Sequence, residues 1–202
     1  MAEKNGRRWN HNIHYHPRIL RAIPDNAQRA LDIGCGEGML ARELRRTVPS
    51  VTAIDLDAPS IDQARGYPDG VDYIVGDILT HPFEPASFDV ITSVATLHHM
   101  DAATGLARMR DLLRPGGVLA VVGLARSTMP RDLPRDLAGI AVSTIHRARK
   151  GHWQHPSPLV WPPPVTYQEM RKLAADILPG CQYRRHLLLR YSIIWRRLAV
   201  TL

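Results

Sequence analysis

The sequence predicts an α/β protein with a doubly wound, seven-stranded and mostly parallel sheet and helices on both of its faces. Short apolar runs alternate with amphipathic segments, a glycine-rich turn follows the first run, and the last two runs are too close together for a crossover helix. Alternating strands and helices build parallel sheets that are covered on both sides. With 202 residues and 45% hydrophobic content, the chain is expected to form a single domain over residues 1–202.

The first five strands are predicted from short apolar runs bounded by polar residues, glycine or proline. These runs cover residues 30–33, 51–54, 71–75, 88–93 and 118–124. Helical spacing of apolar residues lies between them, at residues 39–46, 60–64 and 104–113. Gly116 and Gly117 are expected to end the last of these helices and turn the chain into the fifth strand. A leading helix from about Pro17 is expected within an N-terminal cap of residues 1–24.

Residues 126–163 form an excursion after the fifth strand. A helix is predicted near residues 136–149, followed by a loop rich in proline, tryptophan and histidine. Because long excursions are usually lids or binding surfaces, we predict a lid over the acceptor site. After it, Thr166 and Glu169 have the spacing of a helix capping box. The closing runs at residues 182–189 and 192–198 should pair antiparallel, which makes the last strand antiparallel.

The charge of +7 is unevenly distributed along the chain. Residues 1–100 hold 10 basic and 13 acidic side chains, whereas residues 101–202 hold 16 and 6, which favours an anionic partner for the second half. The predominance of arginine over lysine is equally typical of a GC-rich genome. No apolar run is long enough to span a membrane, no secretory leader is evident, and the two cysteines fit a reducing cytoplasm.

The stretch "LDIGCGEGML" places glycines at 34, 36 and 38, between a strand and a helix. A phosphate-binding loop would need lysine followed by serine or threonine, where this chain has Met39 and Leu40. A dinucleotide fingerprint would need one more residue between its second and third glycines. Asp32 precedes the turn, and a carboxylate there suits a cationic ligand such as S-adenosylmethionine, whose amino-acid end the glycines would let approach closely.

Two more acids follow the next strands. Asp55 ends the second strand, where a carboxylate binds ribose hydroxyls in doubly wound folds. Asp77 follows the third strand and could accept from an adenine amino group, with Ile78 packed on the ring. A single acid at a strand end is often a helix cap. The three together predict S-adenosylmethionine as the cofactor and S-adenosylhomocysteine as its product.

Five segments, "ALDIGCGEG", "AIDLD", "VGDI", "FDVITSVATLHHMD" and "LLRPGG", resemble those of the class I S-adenosylmethionine-dependent methyltransferases in order and spacing. The resemblance covers residues 30–117 and implies methyl transfer, with the cofactor across the carboxyl ends of the first four strands. It implies that Leu56 flanks the adenosine and that Ser93 and Val94 face the methionine end. It also assigns cofactor binding to Asp32, Gly34, Gly36, Asp55 and Asp77.

Methyl transfer is an in-line displacement that requires alignment, and it needs a base only if the acceptor must lose a proton. His98 and His99, after the fourth strand, are the candidate catalytic residues. The alternative is that they are structural or part of the cofactor shell. Tyr15 is expected to contact the cofactor, and His14 and His16 to help close its pocket. No metal site is predicted, because no cysteine or acid cluster completes a shell with the histidines.

The excursion leaves two interpretations open. Its histidines, His146, His152 and His155, are either solvated loop residues or acceptor ligands. Its tryptophans, Trp153 and Trp161, either cover an aromatic acceptor or pack the lid onto the core.

We predict a small-molecule acceptor of anionic or aromatic character and no membrane partner. One alternative is an RNA methyltransferase, favoured by the basic second half. The segment "SVATLHHM" lacks the Asn/Asp-Pro-Pro-aromatic motif of enzymes that methylate exocyclic amines of nucleic acids. The other alternative is a protein of this fold that binds the cofactor without methylating.

Overall fold

The computed structural model describes residues 8–150, 153 and 161–199. Its strands are β1 Arg29–Ile33, β2 Ser50–Asp55, β3 Asp72–Val75, β4 Phe88–Val94, β5 Leu113–Gly123, β6 Gln182–Arg185 and β7 Tyr191–Arg196. Its α-helices are α1 His16–Leu20, α2 Met39–Arg45, α3 Ala58–Arg65, α4 Ala102–Leu112, α5 Leu133–Lys150 and α6 Tyr167–Ile177. Two 3-10 turns, Ile13–Tyr15 and Leu97–His99, precede α1 and α4.

The seven strands form one sheet in the order β3-β2-β1-β4-β5-β7-β6. Strands β1 to β5 pair in parallel, whereas β7 runs antiparallel to both of its neighbours, β5 and β6. The predicted fold class is therefore confirmed. The chain winds outward from β1 to β3 and then returns to place β4 on the other side of β1. Ligands in open α/β sheets bind at such a reversal, beyond the carboxyl ends of the strands.

Alternate residues of the central strands point to two separate cores, because side chains alternate between the faces of a sheet. On one face, Leu31 and Ile91 pack in a cluster that includes residues of α4 and α6. On the other face, Ala30 and Val90 pack in a cluster that includes residues of α1, α2 and α3. The sheet is thus the middle of three layers, and neither face is left open along β1 and β4.

The passage from α4 into β5 differs from the prediction. The helix ends at Leu112, and β5 begins at Leu113, well before the two glycines. Phe88 pairs with Leu113 but Val90 pairs with Val118, so residues 114–117 bulge out beside Asp89. A Cβ on Gly117 would lie 2.8 Å from the Asp89 carbonyl oxygen. The glycines therefore allow a wide bulge within the strand, and they do not end the helix.

The C-terminal elements are of the predicted types, but strand β6 is shorter than predicted. The capping box of α6 is present, since Thr166 Oγ1 accepts from the Glu169 N–H and Glu169 Oε2 accepts from the Thr166 N–H. Strands β6 and β7 pair antiparallel as predicted. Strand β6 ends at Arg185, four residues early, and Leu189 has φ +53°, which is incompatible with an extended strand.

The excursion contains α5, which begins three residues earlier than predicted. Arg185 of β6 forms ion pairs with Asp132 and Asp136 at the N-terminal end of this helix. His152 and His155 lie outside the described residues, as do residues 1–7 of the N-terminal cap. Among the residues that are described, none of the helices is both long enough and apolar enough to cross a membrane.

Candidate active site

A cavity of about 660 Å³ lies beyond the carboxyl ends of the parallel strands. The glycine turn after β1 forms part of its wall, and Val94 and Leu124 line it at the ends of β4 and β5. Asn10 and His16 line it from the N-terminal segment, residues 8–20, and Trp153 lines it from the excursion. Small-molecule sites in proteins have volumes of roughly 300–1,000 Å³. The cavity is therefore large enough for a ligand and stands where the sheet topology predicts one.

The backbone of the glycine turn is exposed to the cavity because Gly34 has no side chain. Gly34 has φ +69°, and a Cβ there would overlap the side chain of Thr96. The Gly34 N–H donates to the Ile54 carbonyl at 2.8 Å, while Thr96 Oγ1 donates to the Ile33 carbonyl at 3.2 Å. The turn is thus fixed between β2 and the residues after β4, and a bound ligand can approach its backbone closely.

Asp32 is only 2% exposed, yet it lines the cavity. Burial raises the pKa of its carboxyl group to about 6, against the opposing effects of a 2.7 Å hydrogen bond from Thr92 Oγ1 and of nearby His16. Neighbouring Asp55 raises it further. A buried carboxylate with no salt-bridge partner among the described residues is stabilised by a cationic ligand, which lowers the cost of ionising it.

Asp55 and Asp77 line the same cavity and are held by local backbone N–H groups. Asp55 Oδ2 accepts from the Gly36 N–H at 2.7 Å, and its Oδ1 accepts from the Asp57 N–H at 2.9 Å. Asp77 Oδ1 accepts from the Leu79 N–H at 2.9 Å. Each carboxylate oxygen has a second lone pair, so both side chains are oriented and can still accept hydrogen bonds from a ligand.

The apolar wall of the cavity consists in part of Leu56 and Ile78. Leu56 is 69% exposed, whereas Ile78 is buried. Together with Asp55 and Asp77, they surround the space beyond β2 and β3. An apolar ring bound there would cover Leu56 and remove its side chain from water.

His98 and His99 also line the cavity, with their ring centroids 4.0 Å apart. His98 is buried, and its Nδ1 has no hydrogen-bond partner among the described residues. Burial lowers its pKa to about 4, helped by the charges of His99 and Arg190. Burial also lowers the pKa of His99, although Asp55 opposes this. Burial thus disfavours the protonated form of both rings, and the pKa of about 4 makes His98 a weak base at neutral pH.

His16 lines the cavity as well, whereas two other histidines lie outside it. His14 lies outside the cavity wall and packs against Trp9 and His146 of α5, with ring centroids 6.2 and 5.2 Å away. Burial lowers the pKa of His14, and the charges of His146 and Lys150 lower it further. This cluster ties the N-terminal segment to α5. Within the described part of the chain, no group of three histidine, cysteine or acidic side chains could hold a metal ion.

Comparison with known proteins agrees with this geometry. Residues 31–121 match a family described as a methyltransferase domain. An uncharacterized methyltransferase of Mycobacterium tuberculosis is 39% identical over 93% of this chain and 96% of its own length. The chain belongs to the class I S-adenosylmethionine-dependent methyltransferases.

Solved structures show that this methyltransferase shares its fold with distant relatives. The YcgJ protein of Bacillus subtilis is 19% identical and superposes with a TM-score of 0.63, covering 86% of this chain and 71% of its own. The N-methyltransferase NodS of Bradyrhizobium japonicum, solved with S-adenosylhomocysteine, is 18% identical with a TM-score of 0.59, covering 92% of this chain and 86% of its own.

Among sequence relatives, a ubiquinone biosynthesis O-methyltransferase of Xylella fastidiosa is 38% identical over 54% of this chain and 47% of its own length.

Most of the predicted cofactor residues of this methyltransferase meet at the cavity, but two do not. Ser93 is fully buried, its hydroxyl has no hydrogen-bond partner among the described residues, and it lies behind the cavity wall. Tyr15 is buried against His186, with ring centroids 4.8 Å apart, and does not line the cavity either. The residues that do line it as predicted are Asp32, Gly34, Gly36, Asp55, Leu56, Asp77, Ile78, Val94, His98 and His99.

Sequence reasoning missed several residues of the wall. Ala95 and Thr96 line the cavity beyond the end of β4, where Ala95 has φ +56° and turns the chain, whereas Ser93 lies within the strand and is buried. Nothing in an Ala-Thr pair signals such a turn. Asn12 and Arg190 also line the cavity, although they stand 178 positions apart in the chain. Their one available signal was the position of Arg190 in the short turn between the two predicted closing runs, directly after residue 189.

Proposed function

We propose that this protein transfers the methyl group of S-adenosylmethionine to a small-molecule acceptor by in-line displacement and releases S-adenosylhomocysteine. The observation that carries the proposal is the convergence of Asp32, Asp55 and Asp77 on one cavity with the glycine turn. Each carboxylate comes from the carboxyl end of a different strand. The relatives named above support it, since NodS is described with S-adenosylhomocysteine and another relative acts in ubiquinone biosynthesis.

The residues present fit this cofactor. Asp32 would face the ammonium or sulfonium charge, and the Gly34 turn would let the amino-acid end approach the backbone. Asp55 would accept from the ribose hydroxyls and Asp77 from the adenine amino group, with Leu56 and Ile78 against the ring. When bound, S-adenosylmethionine supplies a methyl carbon already activated by the sulfonium.

The remaining task of the chain is alignment, because holding two reactants in line is worth several kcal/mol of barrier. We propose that Val94 lies beside the methionine end and that residues 126–163 act as a lid, of which Trp153 lines the cavity. An acceptor that must lose a proton would need a base within hydrogen-bond reach. His98 and His99 are the candidates, since both line the cavity.

Part of the positive charge of the second half serves contacts within the protein. Several basic side chains of the second half contact the protein itself. Arg197 donates to the Arg110 and Leu113 carbonyls, and Arg185 pairs with Asp132 and Asp136. We also propose a cytoplasmic location, because Cys35 and Cys181 are both free thiols.

Titration calorimetry with S-adenosylmethionine and S-adenosylhomocysteine tests the cofactor assignment. We expect the wild type to bind both, and Asp55→Asn to weaken binding by about tenfold or more, since a hydrogen bond to a charged group contributes roughly 1.5–3 kcal/mol. Asp72→Asn is the matched control, because Asp72 is an exposed acid on β3 that does not line the cavity. Absence of binding by the wild type would refute the proposal. RNA binding that falls steeply with salt would favour the nucleic-acid alternative.

A further inference from the structure

Arg190 is the one arginine or lysine among the residues that line the cavity, within the part of the chain that the structure describes. It stands directly before Tyr191, which pairs with Gly123 at the end of β5. Arg190 is only 9% exposed. Its charge therefore lies inside the protein, on the side of the cavity formed by β5 and β7.

Every hydrogen-bond partner found for the Arg190 guanidinium is neutral. Nε and Nη2 both donate to Asn12 Oδ1, at 3.0 and 2.9 Å. Nη1 donates to the Leu189 carbonyl at 3.1 Å and to the Leu188 carbonyl at 3.5 Å. No carboxylate oxygen of the described residues lies within 4.0 Å of Arg190.

A buried guanidinium without an anion is costly, because neutral oxygens only partly replace the water that it has lost. Burial accordingly lowers the pKa of Arg190 to about 10, although Tyr167 and Tyr15 oppose the shift. The guanidinium has five N–H groups. The bonds to Asn12 and the two carbonyls leave Nη2 with a further N–H for a ligand.

We propose that the methyl acceptor is a carboxylic acid whose carboxylate is bound by Arg190. The inference rests on the proposed function and names the substrate class of the same cavity. A carboxylate oxygen can accept from the remaining Nη2 N–H, and the carboxylate supplies the anion that this buried charge lacks. Arg190 is thus a substrate-binding residue that anchors the acceptor, with His98 beside it.

Arg190 stands on the opposite side of the sheet from the strands that carry the acids assigned to the cofactor. Strand β7 is the third strand from β1 in the sheet, which places its backbone about 14 Å from the glycine turn at a spacing of roughly 4.8 Å per strand. The acidic residues that would bind the cofactor, Asp32, Asp55 and Asp77, lie at the carboxyl ends of β1, β2 and β3, on the other side of β4. Arg190 instead meets Asn12 and lies near His98, beyond β4 and β5.

The charge of the cavity favours a carboxylate over a phosphate. Its wall holds one guanidinium among several acids, which are Asp32, Glu37, Asp55, Asp57, Asp77 and Asp101. A phosphate dianion would be repelled by these acids and would need more than one cation to offset its charge. A monoanionic carboxylate at the far side of the cavity is matched by Arg190 alone.

The experiment uses the full chain saturated with S-adenosylhomocysteine and measures binding of paired probes by calorimetry. The pairs are benzoate with benzamide, hexanoate with hexanamide, and glutarate with glutaramide. We expect at least one acid to bind tenfold or more tightly than its amide. Arg190→Gln should abolish this preference while the affinity for S-adenosylhomocysteine stays within about twofold, and Arg190→Lys should restore part of it.

Two further variants keep the test decisive if Arg190→Gln fails to fold. Asn12→Asp places a carboxylate on the guanidinium with almost no change in shape, so it should abolish the preference for acids without lowering the melting temperature. Arg184→Gln removes an exposed charge from β6 and should keep the preference.

The proposal is overturned if the wild type shows no preference for any acid, or if the preference survives in Arg190→Gln or Asn12→Asp. It is also overturned if Arg190→Gln loses S-adenosylhomocysteine, because the guanidinium would then serve the cofactor. Failure of the wild type to bind S-adenosylhomocysteine is a separate outcome, which would refute the proposed function itself.

Discussion

The two halves of the cavity are built in different ways. In the donor half, beyond β1, β2 and β3, each acid stands within a few residues of a strand end. Asp55 and Asp77 are oriented by backbone N–H groups close to them in the chain or in the adjacent turn. In the acceptor half, beyond β4, β5 and β7, the contacts join distant segments. Asn12 meets Arg190, and the Trp153 N–H donates to the Trp9 carbonyl at 2.9 Å.

Under the proposed function, this difference separates the residues that would bind the donor from those that would select the acceptor. The donor half depends on strand ends and short turns, which the sheet itself holds in place. The acceptor half depends on how the N-terminal segment and α5 close over the sheet. Substitutions in the donor half should therefore change cofactor affinity, whereas those in the acceptor half should change acceptor binding with little effect on the cofactor.

The largest effect is expected for Gly34→Ala. The new Cβ would overlap Thr96, and φ +69° is unfavourable for alanine. We expect binding of S-adenosylhomocysteine to fall by a hundredfold or more and stability by about 2–4 kcal/mol. Gly116→Ala is the control: its φ is +81°, but a Cβ there meets nothing within 4 Å. It should cost about 1 kcal/mol and leave binding unchanged, as measured by calorimetry and thermal melting. Equal losses in both variants would contradict the role given to the turn.

A smaller effect is expected for the pH dependence of cofactor binding. Burial raises the pKa of Asp32 to about 6, so its carboxyl group is mostly neutral at pH 5 and mostly ionised at pH 7. If the cation binds the ionised form, its affinity should increase about tenfold over this interval. Asp32→Asn should bind weakly at both pH values, without the increase.

The free energy of unfolding of the unliganded protein should change in the opposite direction, decreasing as the pH rises. Because the folded pKa of Asp32 lies above the unfolded value, the stabilisation from its protonated form is complete below about pH 4 and is lost as the pH rises through about 6. Thermal melting from pH 4 to 7 measures this loss, which Asp32→Asn should not show. A flat affinity profile in the wild type would show that Asp32 does not face the cation.

The smallest effect is expected for Leu56→Ser. Covering an exposed leucine with an apolar ring contributes about 1 kcal/mol, so S-adenosylhomocysteine should bind roughly fivefold more weakly. The melting temperature without ligand should not change, because Leu56 is 69% exposed. Leu137→Ser, an exposed leucine of α5 outside the cavity, should alter neither quantity. A drop in unliganded stability for Leu56→Ser alone would indicate a packing role.

The sequence was sufficient for the donor half and insufficient for the acceptor half, for a physical reason. The acids and glycines of the donor half follow predicted strands directly, so their place at the sheet edge follows from strand order. Ala95 and Thr96 were missed because Ala95 adopts a left-handed conformation that its residue type does not signal. The pairing of Asn12 with Arg190 could not be predicted, since no local pattern connects two segments so far apart.

Asp89 has a consequence for redesigning this protein. Its carboxylate accepts from the N–H groups of Gln28 and Arg29 at the start of β1 and pairs with Arg114 of the bulge in β5. The Asp89 side chain therefore links three adjacent strands, β1, β4 and β5, at the end of the sheet remote from the cavity. The excursion at residues 126–163 can be exchanged while Asp89 keeps these strands joined, so new substrates can be sought by grafting that segment from relatives onto an unaltered sheet.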